Sequence, residues 1–339
     1  MLVAALLLIG QVAHRAGLFE LAAAQLARMP GPPALLLLSC LALVALVTAV
    51  LNLDTAAVFM TPVLIATARR RGLDVAPFLY GSVFMANASS LFLPGSNLTN
   101  LLVLHGAGAH SISGGAFFSR MLSVASPACA LTAAGLLVWH RRALAVGEAS
   151  PAGQPVQAHE PALRAPSLAA CLVAAVAIVL LSDPALPVLG VALVLLGLGA
   201  YRRRLGLRAA IGRLGLPSLG ALFLLALALG TLARSGGFPA SLLHGAGGPL
   251  TAAVAALASV LVNNLPAAVL LSARGHPDAG ALLLGLNVGP NLAVTGSLSA
   301  LLWWRAARSV GVRPSALAYS RQGIVLSVLA IAGALLVRG

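Results

Sequence analysis

The chain has 339 residues, of which 60% are hydrophobic and 8% are charged, and its formal net charge is +14. A soluble domain carries about 25% charged residues, so this composition excludes a large soluble core and indicates a protein of the lipid bilayer. The basic residues are arginines grouped at the ends of apolar runs, which is typical of orientation by cytoplasmic positive charge and argues against a nucleic-acid partner.

The first apolar segments predict one span and one re-entrant hairpin. Residues 1–15 form a span that starts outside and ends near Arg15. Residues 32–50 then dip in from the cytoplasmic side, turn at residues 52–54, and return to the arginines at 69–71. Many of these runs are shorter than the roughly 20 residues needed to cross ~30 Å of hydrocarbon. Short segments of this kind indicate hairpins and unwound helices buried in protein.

The next segments complete the first half. Residues 78–104 cross outward with a break at 94–97, and residues 117–139 return to the cytoplasm. A Pro-, Ala- and Gln-rich stretch at 146–165 predicts a hydrophilic linker, and 166–205 predicts a connecting pair of helices. The first repeat therefore covers residues 1–145.

The second half, residues 206–339, predicts the same elements in the opposite orientation. Its segments are an outward span at 217–233, a hairpin from outside at 249–272 with its tip at 263–266, a broken span at 282–304 with its break at 289–296, and an outward span at 323–337. We therefore predict an all-α polytopic membrane protein with two inverted-topology repeats, each containing a re-entrant hairpin and a broken helix. The count is about eight full spans plus two hairpins.

An internal duplication supports the two repeats. The first copy contains AHRAGLF, LNLDTAAV and NASSLFLPGSNLTN, and the second contains ARSGGF, VNNLPAAV and NVGPNLAVTGSLS. In this alignment Asn52 matches Asn263, and Asn87 matches Asn287. Internal repeats are typical of secondary transporters, whose substrate lies near the bilayer midplane between the two halves.

Asp54 is the acidic residue that this path places deep in the bilayer. Intramembrane carboxylates are costly and mark ion or proton pathways. An aspartate at this position also caps the returning half-helix, because its oxygens accept from free backbone N–H groups. Both roles stay open, and the two are compatible.

Amide and hydroxyl side chains cluster at both tips and both breaks. An amide offers a carbonyl to a cation and an NH2 group to an oxyanion or hydroxyl. A lone intramembrane Asn typically forms a hydrogen bond that holds two helices together, but matching clusters in both copies favour a binding site. The predicted substrate and ion site comprises Asn52, Asp54, Asn87, Ser96, Asn97, Thr99, Asn100, Asn263, Asn264, Asn287, Asn291 and Thr295. The histidines form no metal-ligand pair, and no nucleophile elbow is present, so we expect neither a metal site nor an enzyme.

These motifs resemble a known family. VNNLPAAVLL followed by NVGPNLAVTGSLSALLW resembles the second half of bacterial arsenite permeases, and RAGLFE, LNLDTAAVFMTPV and NASSLFLPGSNLTNLLV resemble their first half. The wider group is the ion transporter superfamily, which includes sodium/proton antiporters and sodium-coupled dicarboxylate carriers. The resemblance implies that tips and breaks enclose the substrate and its coupling ion. Leu53 and Leu98 depart from the family's pattern, where a second Asn and a Pro are common.

The resemblance implies efflux of arsenite or antimonite, a small inorganic oxyacid, across the cytoplasmic membrane in exchange for protons. No cofactor is expected beyond the coupling ion, H⁺ or Na⁺. It also implies a homodimer or a cytoplasmic ATPase partner. The alternatives are sodium/proton antiport, sodium-coupled uptake of an anion such as a dicarboxylate, and a truncated membrane scaffold without transport activity.

Overall fold

A computed structural model of the chain describes residues 1–28, 30–106, 112–145, 161–201, 245–272 and 278–338, with Leu224, Ala228, Thr231 and Leu243. The described residues form helices, turns and loops, and no strand occurs among them. The predicted all-α class is therefore confirmed. Most of the predicted linker and the predicted span at 217–233 lie outside the described residues.

The first half contains a bent helix pair, a hairpin and a broken helix. Its helices are α1 (Leu2–Arg15), α2 (Leu18–Arg28), α3 (Pro33–Val50), α4 (Leu53–Thr55), a π-helical turn (Ala56–Met60), α5 (Thr61–Arg70), α6 (Ala76–Ser89), a 3₁₀ turn (Pro94–Ser96), α7 (Leu98–Gly106) and α8 (Gly114–Trp139). The axes of α1 and α2 differ by 57°. The short helix α9 (Arg141–Ala145) follows, and then the pair α10 (Arg164–Leu180) and α11 (Ala185–Tyr201).

The second half has the same order of elements in its described part. Its helices are α12 (Gly248–Val262), α13 (Asn264–Ser272), α14 (Ala279–Val288), two 3₁₀ turns (Gly289–Leu292 and Val294–Gly296), α15 (Leu298–Ser309) and α16 (Ala316–Arg338). The inverted relation of the repeats and their boundaries stay predictions.

Both broken helices restart in the same way. Asn97 before α7 and Ser297 before α15 have extended backbones, with φ near −147° and −148°. The side chain of Asn97 accepts from Thr99 N at 3.2 Å, and that of Ser297 accepts from Ala300 N at 3.1 Å. A polar side chain that caps free backbone N–H groups allows a helix to begin inside an apolar environment.

The two tips differ from each other and from the prediction. The second tip, predicted over 263–266, is a single residue, because α12 ends at Val262 and α13 begins at Asn264. Asn263 joins them with a positive φ of 76°, a backbone region that Asn tolerates better than most residues. At the first tip Asn52 is extended and caps α4. The first break is also longer than predicted, because α6 ends at Ser89.

The halves pack reciprocally. Helix α7, which follows the first break, packs against α13, the return limb of the second hairpin. Helix α15, which follows the second break, packs against the π-helical turn and α5, the return limb of the first hairpin. The long helices α8 and α16 pack along each other. Each break is therefore enclosed by elements of both halves.

The ends of the helices sort into two groups. Met1, Ile112 and Ser182 line one cavity, and we call this side the Met1 end. At the opposite side Arg71 donates to Ala27 O at 2.7 Å, and Arg69 donates to Val310 O at 2.9 Å. We call that side the arginine end. This grouping agrees with the path predicted from the arginines, in which the arginine end is cytoplasmic.

Several helices carry apolar surfaces that the fold leaves uncovered. Helices α3, α8 and α16 are long and apolar enough to cross a membrane, and the bent pair α1 and α2 adds a fourth candidate among the described residues. On α10, Leu172 is 59% exposed, and on α16, Val328 is 59% exposed. Continuous exposed apolar helix faces are stable in lipid and not in water. The chain is therefore a multi-pass membrane protein, whereas the number of spans and the re-entrant course of α3 stay predictions.

Candidate functional site

A hydrogen-bonded cluster joins the two breaks, and Asn287 is its centre. Asn287 Oδ1 accepts from Ser90 Oγ at 2.6 Å and from Asn97 Nδ2 at 2.7 Å. Its Nδ2 donates to Asn100 Oδ1 at 2.9 Å and to Leu283 O at 2.8 Å. An amide group has two donor hydrogens and two acceptor positions, so Asn287 is fully satisfied. One side chain of the second half therefore holds three residues of the first.

A second link connects the same two elements. Asn87 Nδ2 donates to Asn291 Oδ1 at 2.6 Å, and Asn291 Nδ2 lies 3.5 Å from Phe84 O. Asn87, Asn287 and Asn291 are each fully buried. Amide pairs of this kind replace the backbone and solvent partners that a broken helix loses in an apolar environment.

The unwound backbone of the first break is held by Asn100. Its Nδ2 donates to Ser90 O at 2.8 Å and to Leu93 O at 3.1 Å. Helix α6 ends before these carbonyls and provides no donors for them, and Leu93 O accepts a second hydrogen bond from Ser96 N at 3.1 Å. Ser96 lies at the same break, and its hydroxyl donates to Ala49 O at the end of α3. The break is thus tied to the first hairpin as well as to Asn287.

Asp54 lies at the first tip and is held by the other half of the protein. Ser299 Oγ on α15 donates to Asp54 Oδ1 at 2.5 Å. Asn52 performs the capping role, since its Oδ1 accepts from Thr55 N at 2.7 Å. The capping contact of this half-helix is thus made by Asn52, and the Asp54 carboxylate contacts Ser299 of the other half.

The second tip is less enclosed. Asn263 Nδ2 donates to Thr295 O at 3.2 Å, and Asn263 Oδ1 accepts weakly from Leu265 N at 3.4 Å. Asn264 is buried at the start of α13. The Thr295 side chain is exposed, so Thr295 contributes its backbone carbonyl to this contact. Of the predicted site residues, Thr295 fits a side-chain binding role least.

The two tips and the two breaks form one connected set. Ser96 joins the first break to the end of α3, which directly precedes the first tip. Asn263 joins the second tip to the second break, and Ser299 joins the second half to Asp54. The breaks join each other through Asn287. The structure thus places the predicted residues in a single region where the two halves meet.

Three of the predicted site residues have a buried polar atom without a protein partner. These atoms are Asn52 Nδ2, Asn87 Oδ1 and Thr99 Oγ1. A buried polar atom without a partner costs about 1–3 kcal/mol, so such atoms are usually satisfied by water, an ion or a ligand. They offer one amide donor, one carbonyl acceptor and one hydroxyl, a neutral set suited to a small hydroxylated solute or a weakly held cation.

Sequence reasoning missed two members of the set, Ser90 and Ser299. In the alignment of the two copies Ser299 matches Thr99, which was predicted, so the duplication contained the signal for it. Ser90 matches Pro290 in the second copy, so duplication gave no signal there. Its proximity to Asn287 comes from packing alone.

Charge and space around the site are limited. None of the hydrogen bonds described for the two tips and the two breaks involves an Arg, and no cluster of three His, Cys, Asp or Glu occurs in the described part of the chain. A cavity of about 670 Å³ opens at the Met1 end and is lined by Leu2, Leu101 and Asp183. It reaches the first break at Pro94 and does not include the asparagines. The asparagines of the two breaks are buried, whereas Asp54 and Asn263 at the tips are partly exposed.

Comparison with known proteins identifies the family. The sequence matches the citrate transporter family over residues 1–291, which is most of its length. The chain belongs to the citrate transporter family. Because this is a family of membrane carriers, the protein is a transporter and not an enzyme, as its composition and duplication predicted. The narrower assignment to arsenite permeases stays a prediction.

A solved structure shows the same fold. The YdaH transporter of Alcanivorax borkumensis superposes on this citrate transporter family member with a TM-score of 0.60 at 13% sequence identity. The match covers 99% of this chain and 84% of that one, and the YdaH structure is described as having an unusual topology. None of the curated proteins compared matches the chain.

Proposed function

We propose that the protein exports arsenite or antimonite in exchange for protons, with Asp54 as the coupling group. The supporting observation is the chemistry of the region where the halves meet. It consists of amides and hydroxyls with one carboxylate, and its hydrogen bonds involve no cationic side chain. Such a set suits a neutral hydroxylated solute.

The charge of the substrate is the main argument. Trivalent arsenite and antimonite are largely uncharged hydroxides at neutral pH, so they can enter a buried site without a cationic partner. Their hydroxyls can donate to Asn87 Oδ1 and accept from Asn52 Nδ2, two atoms that the protein leaves without partners. A polar solute that satisfies such atoms recovers the cost of burying them.

Coupling requires a group that is charged in one step and neutral in another. Asp54 meets this requirement, and its carboxylate accepts a hydrogen bond from Ser299 on α15, an element of the opposite half. Relative movement of the halves changes this contact and hence the environment of the carboxylate. Alternating access would then link protonation of Asp54 to the side on which the substrate is released.

The second candidate is uptake of citrate or a related carboxylate with sodium ions. The description of the family, citrate transporter, favours it. A multiply charged anion needs positive charge in the site, which the helix N-termini at Leu98 and Leu298 and a bound cation would have to supply. Sodium/proton antiport without an organic substrate is the third possibility, and it would use the same carboxylate.

Transport into everted membrane vesicles energised by a proton gradient tests the proposal. We expect the wild-type protein to accumulate arsenite and Asp54→Asn to accumulate at least about tenfold less. The amide keeps the contact with Ser299 but carries no exchangeable proton. Asp278→Asn is the matched control, since Asp278 pairs with Arg338 at the Met1 end. Sodium-dependent citrate uptake by a wild type that does not move arsenite would replace this proposal with the second candidate.

A further inference from the structure

A row of polar side chains runs from the arginine end to the first tip. We define the α1 polar strip as Gln11 and His14 on α1, Glu20 on α2 and Thr55 at the first tip. His14 Nδ1 lies 2.8 Å from Glu20 Oε1, a distance typical of an ion pair, although the two atoms are not aligned as a hydrogen bond. The side chains of His14 and Glu20 are 35% and 22% exposed. The strip therefore opens to solvent at this pair.

His14 is fixed against the first hairpin by aromatic stacking. Its ring lies 4.5 Å from the ring of Phe59, with an interplanar angle of 21°, and Phe19 lies 6.2 Å from Phe59. Phe59 belongs to the π-helical turn Ala56–Met60, which directly follows Asp54 and Thr55. Single π-helical turns within α-helices occur often at functional sites. His14 is thus attached to the segment that positions Asp54.

One turn deeper, α1 touches the tip itself. A Cβ placed on Gly10 would lie 2.5 Å from Thr55 Cγ2 and 3.1 Å from Thr55 Oγ1, so the backbone of α1 runs directly beside Thr55. Gly10 is four residues before His14 and shares its helix face. Gln11 is next to Gly10 and lies one turn from His14. The order along the strip is therefore Glu20, His14, Gln11 and Thr55, and Asp54 adjoins Thr55 in sequence.

The buried part of the strip has polar atoms that the protein does not satisfy. Gln11 Nε2, Thr55 Oγ1 and Glu20 Oε2 have no hydrogen-bond partner, and the same holds for Asn52 Nδ2 at the tip. Gln11 is 7% exposed and Thr55 is fully buried. Buried polar atoms arranged in series beside a tip are the sites at which water molecules bind inside proteins.

The charged groups around the strip come from each element that packs against α1. Among the described residues, four elements pack against α1, and each carries a charged or titratable side chain. These side chains are Glu20 and Arg28 on α2, Asp54 at the first tip, Arg164 on α10 and the exposed Tyr201 on α11. Arg164 Nε donates to Ala16 O at 3.1 Å. Arg15 adjoins His14 in sequence, and Arg71 lies at the far end of α2. Glu20 is the nearest carboxylate and is the group that can stabilise a protonated imidazole.

We propose that the α1 polar strip conducts protons between Asp54 and the solvent at the arginine end. This inference rests on the proposed function, in which Asp54 carries the coupling proton. A proton leaves the Asp54 carboxyl for water beside Thr55 and Gln11 and passes from that water to the His14 imidazole. The imidazolium, stabilised by Glu20, then releases the proton to solvent. His14 suits the last step because an imidazole can both accept and donate a proton, and its ring is partly exposed beside Glu20.

The first test needs no substrate. The full chain carrying Gln11→Cys is compared with Val12→Cys, since Val12 is its buried apolar neighbour at the same depth. A charged methanethiosulfonate reagent is added from the arginine end, and the labelling rate is measured against the wild-type background of Cys40, Cys129 and Cys171. We expect Gln11→Cys to react at least about tenfold faster, because charged reagents enter only where water does. Equal rates would overturn the hydrated strip.

The second test separates proton movement from substrate movement. In proteoliposomes with purified protein, His14→Gln is compared with wild type and with His140→Gln, the same substitution at a histidine remote from the strip. We expect the rate of arsenite uptake driven by a pH gradient to be about tenfold or more lower in His14→Gln than in wild type. Exchange of labelled for unlabelled arsenite at equal pH should stay within about twofold of wild type, because exchange requires no proton release.

The outcomes distinguish the two proposals. If His14→Gln loses both activities, His14 has a structural role and the proposed proton path is contradicted. Full gradient-driven uptake by His14→Gln would contradict the proposed proton path as well. A wild type without any arsenite transport would refute the proposed substrate. In that case the labelling of Gln11→Cys still decides whether the hydrated strip exists.

Discussion

Asn287 shows how one residue stabilises two unwound helices at once. Its amide makes four hydrogen bonds, three of which reach Ser90, Asn97 and Asn100 in the other half of the chain. All these side chains are buried, so water cannot readily replace a lost partner. The cluster is expected to contribute stability as a unit more than as separate bonds.

Replacing Asn287 by Ala should therefore destabilise the protein strongly. The substitution leaves the Asn97 amide donor and the Asn100 carbonyl oxygen without their partner, whereas the Ser90 hydroxyl keeps Asn87 O as an acceptor at 2.7 Å. We expect a loss of about 2–4 kcal/mol. Thermal unfolding in detergent measures it. Ser272→Ala is the matched control, because Ser272 Oγ donates within its own helix to Ala268 O, and its loss should cost less than about 0.5 kcal/mol. Equal shifts in the two variants would contradict the central role of Asn287.

The residues at this site were partly predictable from the sequence. Asparagines at equal positions of two copies, such as Asn87 and Asn287, indicated a polar cluster because amides in an apolar environment need partners. The identity of those partners was not predictable. Asn97 and Asn287 are 190 positions apart, and their contact depends on how two broken helices pack. Ser90 matches an apolar residue, Pro290, in the second copy, so only its position in the fold reveals its role.

At the scale of elements, α16 supports the second break through a close backbone approach. A Cβ added to Gly323 would overlap the carbonyl group of Asn291, and Tyr319 on the same helix donates its hydroxyl to Pro290 O at 3.1 Å. Helix α16 thus lies directly on the 3₁₀ turn that interrupts the broken helix. Any side chain at Gly323 forces these two elements apart.

Gly323→Ala is expected to destabilise the protein by about 1–3 kcal/mol and to reduce transport, because it displaces the backbone that holds Asn291. Gly333→Ala on the same helix is the matched control. Its new Cβ would meet the end of the Leu131 side chain, which can rotate away. Unfolding temperatures and vesicle transport of the two variants provide the comparison, and indistinguishable behaviour would refute a rigid contact at the break.

Helices α8 and α16 also meet at a buried histidine. His140, at the end of α8, is 8% exposed, and its Nε2 lies 2.9 Å from Gln322 Oε1. Burial lowers the pKa of His140 from its ordinary value of 6.5, although Gln322 and the nearby Asp74 act in the opposite direction. The folded protein therefore binds this proton less readily than the unfolded chain does.

The stability of the protein should fall as the pH drops below about 6.5. In that range the unfolded chain takes up a proton at His140 and the folded protein does not, so unfolding becomes more favourable. Above it both states are neutral and the effect vanishes. Unfolding temperatures between pH 7.5 and pH 5.5 should decline more steeply for wild type than for His140→Gln. Parallel declines in the two proteins would show that His140 does not contribute to the pH dependence of stability.

At the scale of the whole molecule, the chain is built from two halves that enclose each other's breaks. The reciprocal packing of α7 on α13 and of α15 on α5 means that neither half is complete alone. Movement of one half against the other would act directly on Asp54, because Ser299 spans the boundary. The fold thus provides the connection that a coupled carrier requires.

The orientation of the whole molecule can be tested by labelling single cysteines in intact cells with a reagent that does not cross the membrane. Ser182→Cys at the Met1 end should react from outside, whereas Arg313→Cys beyond α15 should react only after the membrane is opened. Both positions are exposed, so access and not burial decides the result. The reverse pattern would mean that the arginine end faces outward.

The sequence by itself determined the all-helical membrane class, the places where helices break, and the residue types that fill those breaks. These features are local, because Pro, Gly and Asn act on the backbone within a few residues of their own position. The tertiary structure decided which side chains meet. Asp54 is paired with Ser299 and Asn287 with Ser90, contacts that depend on helix packing between distant parts of the chain. Because the core of a bilayer contains no water, polar groups buried there need hydrogen-bond partners within the protein. The packing of the two halves determines which partners they have.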